Sequence, residues 1–232
     1  MIPITDDVPS KRFPIMNWLL IISNVLVFVF MLTSIDFANE LVSQLGIVPK
    51  RFLFYCDIFE VATIFTSMFL HGGFAHIFSN MLALYIFGDN VEDRLGHFGY
   101  LFFYLLSGVG AAAVHIYLNQ NSIVPTIGAS GAISGVMAAY VLMYPRANVL
   151  VVFPILFIPF TFVLPSIVYI GVWFLSQLFN GALSIVSNVE AFGGVAWWAH
   201  VGGFLSGAFL LPFFLVKRSR KKRTYFFLTI II

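Results

Sequence analysis

The chain is 232 residues long, with 60% apolar residues, 9% charged residues and a formal net charge of +2. This composition excludes an ordinary water-soluble globule, because so few polar side chains cannot cover the surface of a protein of this length. It favours an all-α protein that crosses a lipid bilayer several times, and the single cysteine, Cys56, excludes an intramolecular disulfide.

Apolar runs separated by polar breaks predict six membrane-spanning helices in one membrane-embedded domain that comprises residues 1–232. The second and fourth runs are short for a full crossing, so we expect each to start below the membrane surface. The segment 35–74, between the first two spans, is amphipathic and is expected to lie in the outer interface of the membrane. The spans are predicted at 14–34, 75–90, 98–118, 128–144, 162–183 and 194–216.

The basic residues are distributed unequally between the two sides of this topology. Ten of the twelve lie in the termini and in the second and fourth loops, whereas only Lys50 and Arg51 lie on the other side. The positive-inside rule therefore predicts a short cytoplasmic N-terminus and a basic cytoplasmic C-terminal tail. We interpret the run 217–223 as an anchor beside anionic lipid rather than a nucleic-acid patch. The absence of an Asn-x-Ser/Thr sequon favours a prokaryotic plasma (inner) membrane.

Four polar side chains from three predicted spans converge near the outer side of the membrane. Span four begins just before Ser130, and span six places His200 about two turns below its outer end. His76 and Asn80 lie one turn apart, on one face, near the outer end of span two. A serine hydroxyl is activated when a neighbouring base takes its proton, so Ser130 and His200 are the candidate nucleophile and base.

Pairs of glycines indicate how the serine and the histidine are brought together. Spans four and six each carry two glycines with the small-xxx-small spacing that is typical of closely packed membrane helices. His200 lies three residues before the first glycine of its pair, on the same face, so close packing would bring it against Ser130. The glycines are Gly131 and Gly135 on span four, and Gly203 and Gly207 on span six.

No carboxylate is predicted at the depth of His200, and burying one in lipid is costly. We therefore predict a Ser-His dyad rather than a triad. His76, Asn80 and the backbone N–H groups at the start of span four are the candidate donors to an oxyanion.

Other interpretations of the same residues remain open. Ser134, one turn deeper than Ser130, is a rival nucleophile that lies farther from the outer water. His71, His76 and His200 are an alternative metal site, against which stands the lack of a carboxylate or thiolate at the same depth. Three aromatic residues of span five are interpreted as lipid-facing: Trp173, Phe174 and Phe179.

Four sequence segments, in this order, carry a resemblance to a known family: 71–80 (HGGFAHIFSN), 91–96 (VEDRLG), 128–131 (GASG) and 199–207 (AHVGGFLSG). With them, the chain resembles the rhomboid intramembrane proteases, in their basic six-helix form, over nearly its whole length. It departs from that family in two places. The Trp-Arg pair of the first long loop is absent, and Ser134 stands where some members carry an aromatic residue that stacks on the catalytic histidine.

The resemblance implies a six-transmembrane-helix bundle that hydrolyses peptide bonds in or near the transmembrane segments of other membrane proteins. It implies that Ser130 is the nucleophile, that His200 is the general base and acid, and that His76 and Asn80 stabilise the oxyanion. The substrates would be single-span membrane proteins that enter sideways from the lipid bilayer between spans two and five. No metal, nucleotide or other cofactor is required.

Two functions of other classes are alternatives. One is a proteolytically inactive relative that binds or escorts membrane proteins, although the presence of all four polar residues counts against it. The other is a small transporter or channel, for which polar groups at mid-membrane are expected. The polar groups here cluster toward one face of the membrane instead.

Overall fold

The computed structural model describes residues 1–155, 158–186 and 195–215, most of which lie in helices. A 3-10 turn, Ser67–Phe69, follows α4, and a π-helical turn, Leu84–Gly88, joins α5 to α6. The helices are α1 Ile15–Met31, α2 Ile35–Leu45, α3 Pro49–Tyr55, α4 Ile58–Thr66, α5 Phe74–Ala83, α6 Asp89–Leu95, α7 His97–Leu118, α8 Ser130–Met143, α9 Ser166–Val186 and α10 Trp197–Phe214. The strands are β1 Ile2–Asp6, β2 Asn148–Ile155 and β3 Ile158–Pro165.

Each predicted span corresponds to a helix, or to the continuous run from α5 to α6. Within the described ranges, α7, α9 and α10 are long and apolar enough to cross a membrane. A fourth crossing is counted if the stretch 58–69 and the run from α5 to α6, bent by 85° from each other, form one broken span. Helices α1 and α8 are apolar but shorter. The helical, membrane-spanning class is thus confirmed, while the count of six and the single domain stay predictions.

The start of α10 changes the predicted position of His200. Helix α10 begins at Trp197, so His200 lies in its first turn rather than about two turns below its end. The predicted ends of span six, at 194 and 216, lie outside the described residues, as do the basic run 217–223 and the tail 224–232.

The first long loop forms three short helices that are held together by a buried ion pair. Arg51 on α3 contacts Glu60 on α4 with an N–O distance of 2.6 Å, and the side chain of Glu60 is only 3% exposed. The guanidinium of Arg51 also donates to the carbonyls of Gln44 and Gly46, at the end of α2. These bonds satisfy carbonyls that have no partner within their own helix. Arg51 thereby joins all three helices in a chain that lacks the Trp-Arg pair.

A three-stranded antiparallel sheet has the order β1-β2-β3, and β2 and β3 lie where the sequence predicts a loop and the first residues of span five. The segment 148–165 is uncharged and rich in β-branched and aromatic residues, which favours strands over helix. Val149 and Val151 of β2 are fully buried, whereas most of β3 is exposed. Span five therefore starts at Ser166 and not at the predicted 162.

Two acidic residues at the end of β1 bond to α8 and to the start of β2. The hydroxyl of Tyr140 on α8 donates to Asp6, and the backbone and side-chain nitrogens of Asn148 donate to Asp7 at 2.9 and 2.7 Å. Burial raises the pKa of Asp6 above its ordinary value. The sheet is thus fixed to the end of α8 opposite Ser130.

The N-terminus of α1 is capped by a carboxylate from another helix. Glu92 on α6 accepts hydrogen bonds from the backbone N–H groups of Met16 and Asn17, at 3.0 and 2.8 Å, and is 2% exposed. The first N–H groups of a helix have no intrahelical partner, and the helix dipole favours a negative charge there. His97 contacts the same carboxylate from the start of α7. Three helix ends meet at this one buried charge.

Helix α8 lies at the centre of the bundle, and its side chains from Gly131 to Tyr140 are buried. It touches α10 through glycines, because a methyl group built on Gly203 would lie 1.8 Å from the carbonyl oxygen of Gly131. One turn farther along, a methyl group on Gly207 would lie 2.4 Å from the Cα atom of Gly135. Only glycine permits this contact between the two backbones.

We expect Gly203→Ala to lower the free energy of unfolding by about 1 to 3 kcal/mol, because the new methyl group forces α8 and α10 apart. Thermal unfolding in detergent micelles, followed by circular dichroism, measures the change. Gly171→Ala on α9 is the matched control, since a methyl group there meets no atom within 4 Å. A melting temperature of Gly203→Ala equal to that of the control would contradict the close contact.

Candidate active site

Ser130 is the first residue of α8, and an unusual backbone turn places it there. Gly128 has a φ of +119°, a conformation that L side chains rarely adopt, and its N–H donates to the carbonyl of Ser67 at 2.9 Å. Ala129, between the two, is fully buried. The Ser130 hydroxyl therefore lies at a helix N-terminus, beside backbone N–H groups that have no intrahelical acceptor.

His200 faces this hydroxyl from the first turn of α10. Its Nε2 atom lies 2.7 Å from Ser130 Oγ, which is hydrogen-bonding distance, and the histidine is 9% exposed. The first glycine contact between α8 and α10 is close by, because Gly131 directly follows Ser130 and Gly203 follows His200 by three residues. A serine hydroxyl and an imidazole on two helices, 70 residues apart in sequence, are thus in direct contact.

The second ring nitrogen of His200 also has a partner, which the sequence interpretation missed. Gln177 on α9 places its Oε1 atom 2.8 Å from His200 Nδ1 and is 4% exposed. The sequence offered one signal, a large neutral polar side chain inside a mostly apolar span that also contains Ser176 and Asn180. That signal did not indicate which helix face Gln177 occupies relative to His200.

The prediction that the aromatic residues of span five face lipid is wrong for two of the three. Trp173 lies over His200, with ring centroids 5.8 Å apart and a tilt of 36°. Phe174 stacks on Phe204 of α10, with centroids 4.2 Å apart. Phe179 is 69% exposed, as expected for a lipid-facing ring. An aromatic ring on His200 is thus supplied by α9, although the position four after the serine holds Ser134.

His76 lies on the other side of Ser130. A methyl group built on Gly128 would lie 2.6 Å from His76 Nε2 and 3.7 Å from Ser130 Oγ, so both atoms face the same small space. His76 Nδ1 accepts a long hydrogen bond, 3.5 Å, from the N–H of Gly72. In the neutral ring this leaves the proton on Nε2, directed toward the space beside Ser130.

Asn80 follows His76 by one turn of α5 and is 5% exposed. Its Nδ2 atom has no hydrogen-bond partner among the residues that the structure describes. A buried amide donor without a partner is costly, and such groups often serve a function. Asn80 is therefore a free donor on the helix that carries His76.

Ser134 has a different environment from that of Ser130. Its hydroxyl is fully buried and donates to the carbonyl of Ser130, four residues earlier, at 2.6 Å. This bond is the common way in which a serine inside a helix satisfies its own hydroxyl. Ser134 thus has neither the base nor the access that a nucleophile requires.

The remaining histidines near the site have other contacts. His71 is 1% exposed and packs edge-on against His76, with ring centroids 5.0 Å apart. His115 on α7 lies 2.8 Å from the hydroxyl of Thr126. Within the described parts of the chain, no three histidine, cysteine or acidic side chains are grouped so that they could hold a metal ion.

A small cavity adjoins Ser130. Its volume is about 30 Å³, and polar atoms of Ser67, His115, Thr126 and Ser130 are among its walls. This volume is similar to that of one water molecule, and several polar partners are available to hold it. The cavity is therefore large enough to hold a water molecule beside Ser130.

Comparison with known protein families gives a match over the region that contains these residues. The Rhomboid domain model matches residues 59–218, which include every candidate site residue. The chain is 33% identical to RHOMBOID-like protein 1 of Arabidopsis thaliana over 159 residues, covering 68% of this chain and 36% of that protein.

Two further relatives come from organelles. The chain is 29% identical over 165 residues to Rhomboid protein 1, mitochondrial, of Saccharomyces cerevisiae, covering 69% of this chain and 44% of that protein. It is 43% identical over 79 residues to Rhomboid-like protein 11, chloroplastic, of Arabidopsis thaliana, covering 34% of this chain and 28% of that protein. The matched region is thus less than half of the length of each of these relatives.

We expect Gly128→Ala to slow the covalent modification of Ser130 by a fluorophosphonate at least about 10-fold, because the new methyl group strains the turn and displaces His76. The rate of modification is measured on the detergent-purified protein. Gly72→Ala is the matched control, since a methyl group there meets only the end of the Ile127 side chain, at 3.9 Å. Equal rates for the two variants would mean that the turn at Gly128 does not position the site.

Proposed function

Because this chain belongs to the rhomboid family, we propose that it is an intramembrane serine endopeptidase. The observation that carries the proposal is the 2.7 Å contact between Ser130 Oγ and His200 Nε2, formed where two helices meet through glycine. A serine of this kind needs an adjacent base in order to attack an amide. The alternative within the same family is an inactive relative that binds or escorts membrane proteins, for which this contact would have no purpose.

The reaction proceeds by acyl transfer. The Ser130 hydroxyl gives its proton to His200 Nε2 while Oγ forms a bond to the carbonyl carbon of the scissile peptide. The protonated His200 then gives that proton to the leaving amine, the C–N bond breaks, and an acyl-enzyme remains. Water gives a proton to His200 as its oxygen bonds to the ester carbon; the bond between that carbon and Ser130 Oγ then breaks, His200 returns the proton to Oγ, and the new carboxyl end is released.

Three kinds of donor support the negative charge that develops on the substrate oxygen. His76 directs Nε2 to the space beside Ser130, and Asn80 holds a free amide donor one turn farther along α5. The free N–H groups at the start of α8 are the third kind. Losing one donor of such a set typically costs about 100-fold to 1000-fold in rate.

The substrates that suit this site are single-span membrane proteins. We propose that they reach Ser130 sideways from lipid, between α5 and α9, and present an extended segment near the outer surface of the bilayer. The protein is then a multi-pass protein with both termini in the cytoplasm and an active site open to the outer side. The site requires neither a metal nor a nucleotide for this reaction.

The first test is labelling with a fluorophosphonate probe. We expect the wild-type protein to become covalently labelled and Ser130→Ala to show no labelling. His200→Ala should react at least about 1000-fold more slowly than the wild type, because the base is lost. Ser134→Ala is the matched control and should label at close to the wild-type rate. Labelling is read by in-gel fluorescence and by mass spectrometry of the modified peptide.

The same experiment distinguishes a protease from an inactive relative that binds or escorts membrane proteins. Absence of labelling in a wild-type protein that melts cooperatively would favour the binding or escort function over proteolysis. Labelling that persists in Ser130→Ala would place the nucleophile elsewhere. Transport of a labelled solute by purified protein in vesicles, independent of Ser130, would favour the transporter instead.

The proposed topology is tested with the one natural cysteine. Cys56 is exposed and lies between α3 and α4, in the loop assigned to the outer side. A membrane-impermeant maleimide added to intact cells is expected to label the wild-type protein, and Cys56→Ser gives the background. Labelling only after the membrane is permeabilised would reverse the proposed orientation.

A further inference from the structure

The side chain of Gln177 is held in one orientation by its own helix. Its Nε2 amide donates to the backbone carbonyl of Trp173 at 3.0 Å and contacts the hydroxyl of Ser176 at 2.9 Å. A backbone carbonyl only accepts hydrogen bonds, so the NH2 group must face it and the amide oxygen must face the other way. The oxygen is the atom that lies 2.8 Å from His200 Nδ1.

This orientation fixes the proton of His200. An amide oxygen cannot donate, so Nδ1 of the neutral imidazole must carry the hydrogen, and Nε2 is left with a free lone pair. That lone pair faces Ser130 Oγ at 2.7 Å, which is the arrangement that a general base requires. With the opposite tautomer, His200 would donate to Ser130 and could not remove its proton.

The imidazole ring is also confined by the same face of α9. Trp173 and Gln177 are spaced i, i+4, so the ring that covers His200 and the amide that binds it lie one above the other. Trp197 of α10 approaches the ring edge-on, with centroids 6.4 Å apart. His200 is thus held by a neutral acceptor and two aromatic rings.

We propose that Gln177 is a positioning residue, the uncharged third member of a Ser130–His200–Gln177 relay, which holds His200 in the tautomer that can act as a base. This rests on the proposed proteolytic function of the same site. Gln177 neither gains nor loses a proton in the reaction. When Ser130 passes its proton to Nε2, Nδ1–H keeps its bond to the amide oxygen, whose dipole favours the resulting imidazolium.

A neutral third member suits the environment of this site. A carboxylate would orient the ring equally well, but burying its charge among membrane helices is costly. An amide supplies the acceptor without the charge. The other titratable groups that act on His200 are His76 on α5 and His115 on α7, and neither faces it from α9.

Two variants of Gln177 test the proposal through the rate of fluorophosphonate labelling as a function of pH. Gln177→Leu removes the acceptor and keeps most of the volume, and is expected to slow labelling about 10-fold to 100-fold. Gln177→Glu keeps the acceptor and adds a charge that stabilises the imidazolium. The acidic limb of its pH–rate profile, where labelling falls as His200 becomes protonated, should move to higher pH by about one unit or more. At high pH it should label near the wild-type rate.

Asn180→Leu is the matched control, because Asn180 lies on the same helix, is half-buried, and donates to the backbone carbonyl of Ser176 rather than to His200. It should label within about twofold of the wild-type rate, with the wild-type pH profile. His76 and His115 are present in every variant, so a difference between pH profiles reports the change at Gln177. Melting curves establish that each variant is folded.

The outcomes separate the inference from the function on which it rests. A folded wild-type protein that does not label would overturn the proposed function. A wild-type protein that labels, with Gln177→Leu equally fast, would leave the function intact and overturn the role of Gln177. If Gln177→Leu does not fold, Gln177→Glu decides: a shifted acidic limb with labelling near the wild-type rate at high pH supports the role, and labelling far below the wild-type rate at every pH overturns it.

Discussion

The backbones of α8 and α10 touch through glycine, with the carbonyl of Gly131 in the place that a side chain on Gly203 would occupy. This contact fixes the distance and the rotation of the two helices. It therefore determines that Ser130, at the start of one helix, faces His200, in the first turn of the other. Membrane helices gain little from hydrophobic association, since lipid is equally apolar, so close packing of this kind carries much of their affinity.

The second constraint is the cost of polar groups in apolar surroundings, which the fold meets with specific partners. Glu92 accepts hydrogen bonds from the free N–H groups of α1, and Arg51 forms an ion pair with Glu60. At the candidate active site the partner is uncharged, because Gln177 binds His200 through an amide oxygen. In each case a buried polar group on one helix bonds to a different helix. The bonds that satisfy these groups therefore also hold the helices in place.

Sequence patterns within a single helix predicted where the helices lie. They did not predict which helix faces pack against neighbouring helices. Where the structure describes them, helices lie within a few residues of the predicted spans, except that β2 and β3 replaced a predicted loop and the start of span five. Hydrophobicity does not distinguish a strand at the membrane surface from the end of a spanning helix, so this error follows from the signal used. Trp173 and Phe174 were assigned to lipid because a helix that is apolar all round does not reveal which face is buried.

The sequence by itself determined the class of protein, the approximate positions of its main helices and the identity of the nucleophile and base candidates. Composition, apolar run length and the spacing of short motifs are properties of the sequence itself, and they can be determined without knowledge of packing. The tertiary structure alone decided that α9 faces the site with Gln177 and Trp173, that Arg51 joins the helices of the first loop, and that the strands pair. These features depend on helix rotation and on contacts between distant segments, which no single segment encodes.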